Sequence, residues 1–107
     1  TLDTFKRFII DEGEYQHINL QDSIQNIINM IKTLFVDSGI ELKQNIDYSK
    51  ALIVNIIPID FAQAIMNILN NANDIMLERK IKNKQIKISV FKKNNNGIVT
   101  IEDNGDG

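Results

Sequence analysis

The sequence predicts an α+β fold, a two-layer sandwich in which helices cover one face of a largely antiparallel mixed sheet. Two segments, at residues 20–37 and 59–79, repeat apolar residues with the helical period of about 3.6 residues. Short segments of strand character lie before, between and after them, in an order that mixes helices and strands. With 107 residues and 43% hydrophobic content, the chain is one domain that can bury a core.

The first residues of the chain carry a helical pattern. Apolar residues recur at helical spacing between Leu2 and Ile9, so we expect residues 1–12 to hold the end of a helix and a polar linker. Such a piece is too short to be stable alone. Because Thr1 is not a methionine, we also expect the chain to be a segment of a longer protein. The domain itself is then residues 13–107, beginning with a short strand over 15–18.

The first long helix is predicted over residues 20–37. Asn19 is a suitable N-cap, and Asp22 places a negative charge in the first turn, where the helix dipole favours it. Gly39 can take the left-handed conformation that ends a helix. The buried stripe is predicted to consist of Leu20, Ile24, Ile27, Ile28, Ile31, Leu34 and Phe35.

The remaining elements follow from alternation, apolar runs and turn residues. Residues 40–46 alternate as a strand buried on one face, and the mostly apolar run 52–57 is predicted as a central strand. Pro58 suits the first turn of the helix predicted over 59–79. Strands over residues 86–90 and 98–103 are predicted to form a hairpin around the turn signal at 94–97.

Charge and composition exclude several classes of function. The formal net charge is -2 and the lysines are scattered, so we expect no nucleic-acid partner. The absence of cysteine excludes a disulfide framework and a thiolate metal site, and it is compatible with a reducing cytoplasm. No apolar run approaches the ~20 residues that span a bilayer, so we expect no membrane contact by this segment.

The second helix has an unusual polar face. Its core side is predicted to carry Ala62, Ile65, Met66, Leu69, Ala72 and Met76, and its other side Asp60, Gln63, Asn67, Asn70, Asn71 and Asp74. Asparagine is a weak helix former, at about 0.6 kcal/mol each, so the four asparagines at 67, 70, 71 and 73 cost the helix roughly 2 kcal/mol against alanine. Such a broken local rule often marks a site. The alternatives are an ordinary solvated face and the isoleucine, asparagine and lysine bias of an AT-rich genome.

The chain ends in Asp103-Asn104-Gly105-Asp106-Gly107, directly after the last predicted strand. Strand alternation places Asp103 on the face of Val99 and Ile101, and a carboxylate turned toward a core needs a donor. Glycines allow backbone to approach a ligand closely. The alternative is an aspartate that caps its own turn.

The segment Gln63-Ala64-Ile65-Met66-Asn67-Ile68-Leu69-Asn70-Asn71-Ala72 and the terminal Asp103–Gly107 resemble the N box and first glycine box of bacterial sensor histidine kinases. These kinases belong to the gyrase, heat-shock chaperone, histidine kinase and MutL-type ATPase superfamily. The resemblance implies a Bergerat-type ATP-binding fold with ATP and Mg²⁺ as ligands. By it, Asn71 and Asn67 hold the metal, and Asp103 recognises adenine while Gly105 and Gly107 shape the pocket. Asp74 is then a further nucleotide-binding residue, and Asn67 carries the catalytic role.

By the same resemblance, residues 1–12 would be the end of the dimerisation helix and a linker, and residues 13–107 the N-terminal portion of the ATP-binding domain. The resemblance also implies a place in two-component signal transduction. The chain would transfer the γ-phosphoryl group of ATP to a histidine in the dimerisation domain of the same cytoplasmic protein, a homodimer that serves a response regulator in a phosphorelay. His17, the only histidine, has no acidic residue after it as the acceptor motif requires, so we predict an exposed strand histidine. The position of Asn67 is a glutamate in gyrase-type hydrolases, and an amide cannot act as that base. A hydrolase and a degenerate non-catalytic binding or docking module are the alternatives.

The family's F box, second glycine box and lid would lie beyond Gly107. We therefore expect this segment alone to be inactive and to bind nucleotide poorly. The final strands of the family's sheet would be absent too, and we expect an open sheet edge, or an exposed apolar face beneath those strands, that is able to pair with a second copy.

Overall fold

The computed structural model describes residues 2–6 and 15–105, with side chains for residues 15–35 and 37–105. The described elements are β1 (Leu2–Lys6), β2 (Gln16–Asn19), α1 (Leu20–Leu34), a 3-10 turn (Val36–Ser38), β3 (Glu41–Ile46), β4 (Ile53–Ile56), α2 (Pro58–Glu78), β5 (Gln85–Lys93) and β6 (Asn96–Asp103).

Four strands form a mixed sheet in the order β1-β6-β5-β3. β1 and β5 run antiparallel to β6, whereas β3 runs parallel to β5. β2 and β4 form a separate two-stranded antiparallel sheet. The predicted mixed, largely antiparallel arrangement is therefore confirmed. The prediction of a central strand over 52–57 is wrong, because β4 pairs only with β2 among the described strands and its Ile53 is 59% exposed.

Both helices pack on the same face of the four-stranded sheet. Alternation along β5 turns Ile86, Ile88 and Val90 to this face, and the register pairs Val99 and Ile101 of β6 with two of them. All five are buried in one cluster with the apolar residues of the helices. The helix residues of that cluster are Leu20, Ile24, Ile27, Ile28, Ile31, Phe61, Ile65, Leu69, Ala72 and Met76. The predicted two-layer sandwich with helices on one face is confirmed.

The ends of α1 follow the predicted signals. The Asn19 Oδ1 atom accepts a hydrogen bond of 2.9 Å from the Asp22 backbone N–H, so Asn19 is the N-cap. The helix ends at Leu34, and a 3-10 turn over Val36–Ser38 leads to Gly39, whose φ of 69° is left-handed. Leu34 itself is 59% exposed, so its predicted place in the buried stripe is wrong. The chain is already tightening from α-helix to 3-10 turn at that point.

One buried polar residue of α1 fixes the loop between β3 and β4. The Gln21 side chain is 1% exposed; its Nε2 donates to the carbonyls of Asp47 (3.1 Å) and Lys50 (2.6 Å), and its Oε1 accepts from Leu52 N–H (3.0 Å). In the same loop, hydrogen bonds from the Ser49 side chain and then from the Ser49 backbone hold the pKa of the Asp47 carboxyl below its ordinary value. Every polar atom of the Gln21 amide therefore has a backbone partner.

α2 begins with Pro58 in its first turn and ends in a two-bond motif, in good agreement with the predicted 59–79. The N–H of Ile81 bonds to the Met76 carbonyl (3.0 Å), and the N–H of Lys80 bonds to the Leu77 carbonyl (3.1 Å). This is the Schellman pattern, but the left-handed position, usually glycine, is Lys80 with a φ of 53°. Neither α1 nor α2 combines the length and apolar character that a membrane-crossing helix needs.

The hairpin of β5 and β6 turns at Asn94 and Asn95, and Asn94 has a φ of 56°. The predicted turn at 94–97 is thus confirmed in position but shorter than expected. Gly97 belongs to β6 and is buried. A Cβ at this position would lie only 2.7 Å from Cδ2 of Leu20, so a larger residue would not fit. This glycine allows the start of α1 to approach the strand.

The helix predicted at the start of the chain is wrong over Leu2–Lys6, which forms β1 against β6. An isolated helix of this length is unstable, whereas a strand here gains backbone hydrogen bonds along an edge of β6. The open edge expected at the last strand is accordingly covered by β1. Residues 1, 7–14, 106 and 107 lie outside the described residues, and the division at residues 12 and 13 stays a prediction.

Candidate functional site

The polar face predicted on α2 is present. Asn67, Asn71 and Asp74 are exposed, together with Gln63 and Asn70. The predicted core side is buried at Ile65, Leu69, Ala72 and Met76 and partly buried at Ala62 and Met66, with Phe61 as an additional buried residue. Within the described part of the chain, the side chains of Asn67 and Asn71 make no hydrogen bond, so their amide oxygens face solvent.

The turn after β6 is held together by its own side chains. Oδ1 of Asp103 accepts a hydrogen bond of 2.7 Å from the Gly105 backbone N–H, which is the self-capping arrangement that was the alternative to a ligand role. Asp103 is partly buried and Glu102 is exposed, as strand alternation predicts. Oδ1 of Asn104 accepts from Gln85 N–H (2.9 Å), which ties the turn to β5. Gly107 lies outside the described residues.

Gly105 packs directly against α2. A Cβ at this position would lie 2.9 Å from Cγ2 of Ile75, 3.4 Å from Cγ of Met76 and 2.8 Å from Oδ1 of Asp103. Nη1 of Arg79, at the end of the helix, donates a hydrogen bond of 2.9 Å to the Gly105 carbonyl. Gly105 is therefore needed for space, because any side chain would push the turn away from the helix.

This contact brings part of the predicted site together. Ile75 lies four residues after Asn71, so the two are about 6 Å apart along the helix axis and about 40° apart around it. Asn67 is about 12 Å from Ile75 along the axis and about 80° around it, and Asp74 is turned by about 100°. Of the predicted residues of α2, Asn71 is therefore the closest to Ile75 in direction around the helix, Asn67 extends the same face, and Asp74 is turned furthest away.

Two concave regions lie near these strands. A groove of about 280 Å³ runs beside the turn and is lined by Lys43, Gln85, Lys87, Glu102, Asp103 and Asn104. A second, of about 380 Å³, lies at the opposite end of β6, where the hairpin turn meets β4. His17 lines this second groove and is exposed in β2, as predicted. Only the first groove includes a predicted site residue.

A magnesium ion would meet oxygen donors of the right chemistry at Asn67 and Asn71. Both side chains are exposed, lie one helical turn apart and make no hydrogen bond among the described residues. Amide oxygens are hard ligands, and Mg²⁺ keeps most of its other positions for water and phosphate oxygens. The described residues contain no cluster of three or more His, Cys, Asp or Glu that could hold a metal ion. The amide pair fits a metal shared with a phosphate ligand.

No protein-family model matches the chain, and no curated protein matches it significantly. Solved structures do match. Two nucleotide-free orthorhombic forms of the catalytic domain of histidine kinase ThkA, one of them an isopropanol form, each superpose with a TM-score of 0.59 at 13% sequence identity. Each match covers 83% of this chain and 95% of the ThkA chain. The chain has the fold of a histidine kinase catalytic domain. The fold implied by the N box and glycine box is thereby confirmed.

Two residues that sequence reasoning missed hold this histidine kinase fold together at the turn. Asn104 was treated as part of a glycine-rich motif, yet its side chain continues the pairing of β6 with β5. Arg79 was treated only as the end of the helix. A compositional signal was available for it, because Arg7 and Arg79 are the only arginines in a chain rich in lysine. An arginine kept against that bias suggests a contact that lysine makes less well.

Proposed function

We propose that the chain is the ATP-binding catalytic domain of a two-component sensor histidine kinase. It binds Mg²⁺-ATP and transfers the γ-phosphoryl group to a histidine in a separate dimerisation domain of the same protein. The similarity to the ThkA catalytic domain supports the fold on which this rests. The observation that supports the proposal is the contact of Gly105, in the glycine-rich segment, with Ile75, which lies one helical turn after Asn71.

Asn71 and Asn67 are the residues that would hold the magnesium ion. Their neutral oxygens coordinate a hard cation without adding negative charge beside a triphosphate, which carboxylates at both positions would do. When bound, the metal neutralises charge on the phosphate oxygens. Asp74, beside them on the exposed face, completes the predicted polar set.

Asp103 would recognise the adenine amino group. Its Oδ1 already accepts the Gly105 N–H, but an ionised carboxylate offers about four acceptor positions on two oxygens, so self-capping and adenine binding are compatible. Capping also fixes the carboxylate in one orientation. Gly105 and, by the same resemblance, Gly107 would keep this part of the pocket clear of side chains.

The residue at the catalytic position favours transfer over hydrolysis. Asn67 is an amide and cannot take a proton from water as a glutamate can. Phosphoryl transfer depends mainly on positioning and electrostatic stabilisation, so a presented histidine is a suitable acceptor. The partners that follow are the phosphoacceptor dimerisation domain, a second copy of the protein as a homodimer, and a response regulator. This places the domain in the cytoplasmic part of the protein.

The decisive experiment uses the full-length protein with ATP labelled in the γ-phosphate. Acid-labile label on a histidine supports the proposal. Release of inorganic phosphate without protein labelling would indicate a hydrolase, and nucleotide binding without either would indicate a non-catalytic module. A protein that binds no nucleotide would contradict all three.

Asn71→Asp tests the metal assignment in the same protein. The added charge beside the phosphates should weaken Mg²⁺-ATP binding about fivefold, which corresponds to about 1 kcal/mol for two charges 4 Å apart in water. ADP binding without magnesium should change much less. Asn70→Asp adds the same charge to the same helix about 100° away and is the matched control. Asp103→Asn should weaken ATP and ADP alike, because it replaces a pure acceptor with a group that can also donate.

A further inference from the structure

Arg79 joins the end of α2 to the turn that follows β6. Its backbone N–H bonds to the Ile75 carbonyl (2.9 Å), which fixes it to the helix. Its Nη1 bonds to the Gly105 carbonyl (2.9 Å), which fixes the turn to it. Arg79 therefore links the helix, through its backbone, to the turn, through its guanidinium.

The turn has a second anchor, and the two hold it against different elements. Asn104 bonds to Gln85 N–H (2.9 Å), and its Nδ2 donates to the Asn83 carbonyl, which fix the turn relative to β5 and the loop before it. Neither of these bonds reaches α2. Gly105 also packs on Ile75 and Met76 of the helix. A hydrogen bond such as that from Arg79 has a preferred geometry, whereas apolar packing is non-directional, so the bond contributes to the orientation of the turn.

Arginine is suited to this position. A hydrogen bond from a guanidinium is charge-assisted and roughly twice as strong as a neutral one. Because Arg79 is exposed, a neutral donor there would compete with water on less favourable terms. The left-handed Lys80 that follows ends the helix, and its N–H bonds to the Leu77 carbonyl.

We infer that Arg79 is a positioning residue for the nucleotide site. Its guanidinium holds the Gly105 carbonyl so that the glycine turn, which carries Asp103, keeps one position relative to the Asn71 face of α2. This role rests on the proposed function, because the relative position of the turn and the Asn71 face affects binding only if one nucleotide contacts both. The inference concerns orientation and assigns Arg79 no contact with the nucleotide.

The test measures nucleotide affinity and local order in the full-length protein. We compare Arg79→Ala and Arg79→Lys with the wild type, using Mg²⁺-ATP and ADP as ligands. Lys82→Ala removes one exposed cation from the same loop, and within the described residues Lys82 has no partner, so it is the matched charge control. Amide hydrogen exchange at Gly105, read without nucleotide, reports the hold on the turn directly.

Arg79→Ala should raise the dissociation constants of ATP and ADP about tenfold, equivalent to about 1.4 kcal/mol. It should also speed exchange at Gly105. Arg79→Lys, which keeps a charged donor, should recover most of both effects, and Lys82→Ala should match the wild type. A lower melting temperature for Arg79→Ala with unchanged affinity and exchange would overturn the inference, as would an equal loss in Lys82→Ala. If the wild type binds no nucleotide, the proposed function fails, and the positioning role fails with it.

Discussion

Replacing the buried Gln21 is the perturbation whose effect follows most directly from the structure. Gln21→Leu keeps the approximate size of the side chain but removes three hydrogen bonds to the loop between β3 and β4. The two carbonyl partners belong to Asp47 and Lys50, which are exposed and can bond to water instead. The third partner is the N–H of Leu52, whose residue is 9% exposed. That N–H is left buried without an acceptor.

The expected loss follows from these three bonds. An unsatisfied buried donor costs about 1–3 kcal/mol, and each bond lost to a hydrated carbonyl costs about 0.5–1.5 kcal/mol. The apolar leucine regains part of this by burial, so we expect a net loss of about 2–3 kcal/mol. For a domain of this size, 1 kcal/mol corresponds to about 4–8 °C, so the melting temperature should fall by roughly 10 °C or more.

Gln21→Glu adds a pH dependence with a definite sign. It keeps the acceptor for Leu52 N–H but places a buried carboxylate against two carbonyl oxygens, so its pKa in the folded protein is raised above the unfolded value of about 4.3. A raised pKa means that the neutral form is the better tolerated one. Stability is therefore greatest below about pH 4.3 relative to Gln21→Leu, and it is lost as pH rises through the folded-state pKa.

Urea unfolding of the two variants at about pH 4 and about pH 8, on either side of the unfolded-state value, measures both effects, with Gln25→Leu as the control. Gln25 lies on the same helix as Gln21, and its side chain is hydrogen-bonded to those of Asn29, Gln44 and Tyr48, but these partners are exposed. Its replacement should cost no more than about 0.5–1 kcal/mol. Equal losses for Gln21→Leu and Gln25→Leu, or a Gln21→Glu variant with no added dependence on pH, would refute the reasoning from burial.

Three further predictions concern the helix and the turn. Lys80→Gly should stabilise the domain by about 0.5–1 kcal/mol in thermal unfolding, because it relieves a left-handed conformation at the helix end; a loss of stability would contradict this. Gly105→Ala should destabilise by about 1–3 kcal/mol and separate the turn from α2, since the new Cβ overlaps Asp103 Oδ1; unchanged melting would show that the turn yields easily. Asn70→Ala and Asn71→Ala should each stabilise by about 0.6 kcal/mol, but only Asn71→Ala should weaken Mg²⁺-ATP binding by calorimetry.

Elements with local signals were predictable from the sequence. Asn19 caps α1, the left-handed Gly39 ends the 3-10 turn that follows α1, and Pro58 begins α2, each within a few residues of the predicted boundary. These signals act through neighbouring backbone groups, so the sequence near them contains what decides the outcome. The hairpin turn at Asn94 and Asn95 follows from the same kind of local preference.

Long-range pairings were not predictable in this way. β1 pairs with β6 at the other end of the chain, and no local pattern in Leu2–Lys6 predicts that pairing. The run 52–57 was interpreted as a central strand because it is mostly apolar, but only one face of β4 is buried, and apolar content does not identify the neighbouring strand. Gly97 was assigned to a turn, whereas its role is the close approach of α1, which exists only in the folded chain.

The candidate site divides along the same line. The amide face of α2 was predictable, because helical periodicity sorts its residues by face. The contact of Gly105 with Ile75 and the bond from Arg79 were not, because they join segments about 30 residues apart in the chain. The sequence therefore identified two segments of the candidate site in their order along the chain. The relation between the segments came from packing.

The asparagines of α2 have either a ligand-binding role or no role beyond composition, and their contacts bear on which. Among the described residues, none of the four asparagines makes a side-chain hydrogen bond, and Oδ1 of Asn73 is buried without a partner. Among the described residues, no side-chain hydrogen bond therefore offsets their helix cost of roughly 2 kcal/mol. A bias in genomic composition would affect Asn70 and Asn71 equally, since both are exposed neighbours. A nucleotide bound beside the glycine turn would contact them unequally, because Asn71 lies about 40° around the helix from Ile75 and Asn70 about 140°. Similarity at 13% identity extends to the backbone only, so a comparison of variants at Asn70 and Asn71 is the measurement that distinguishes a binding site from a bias of composition.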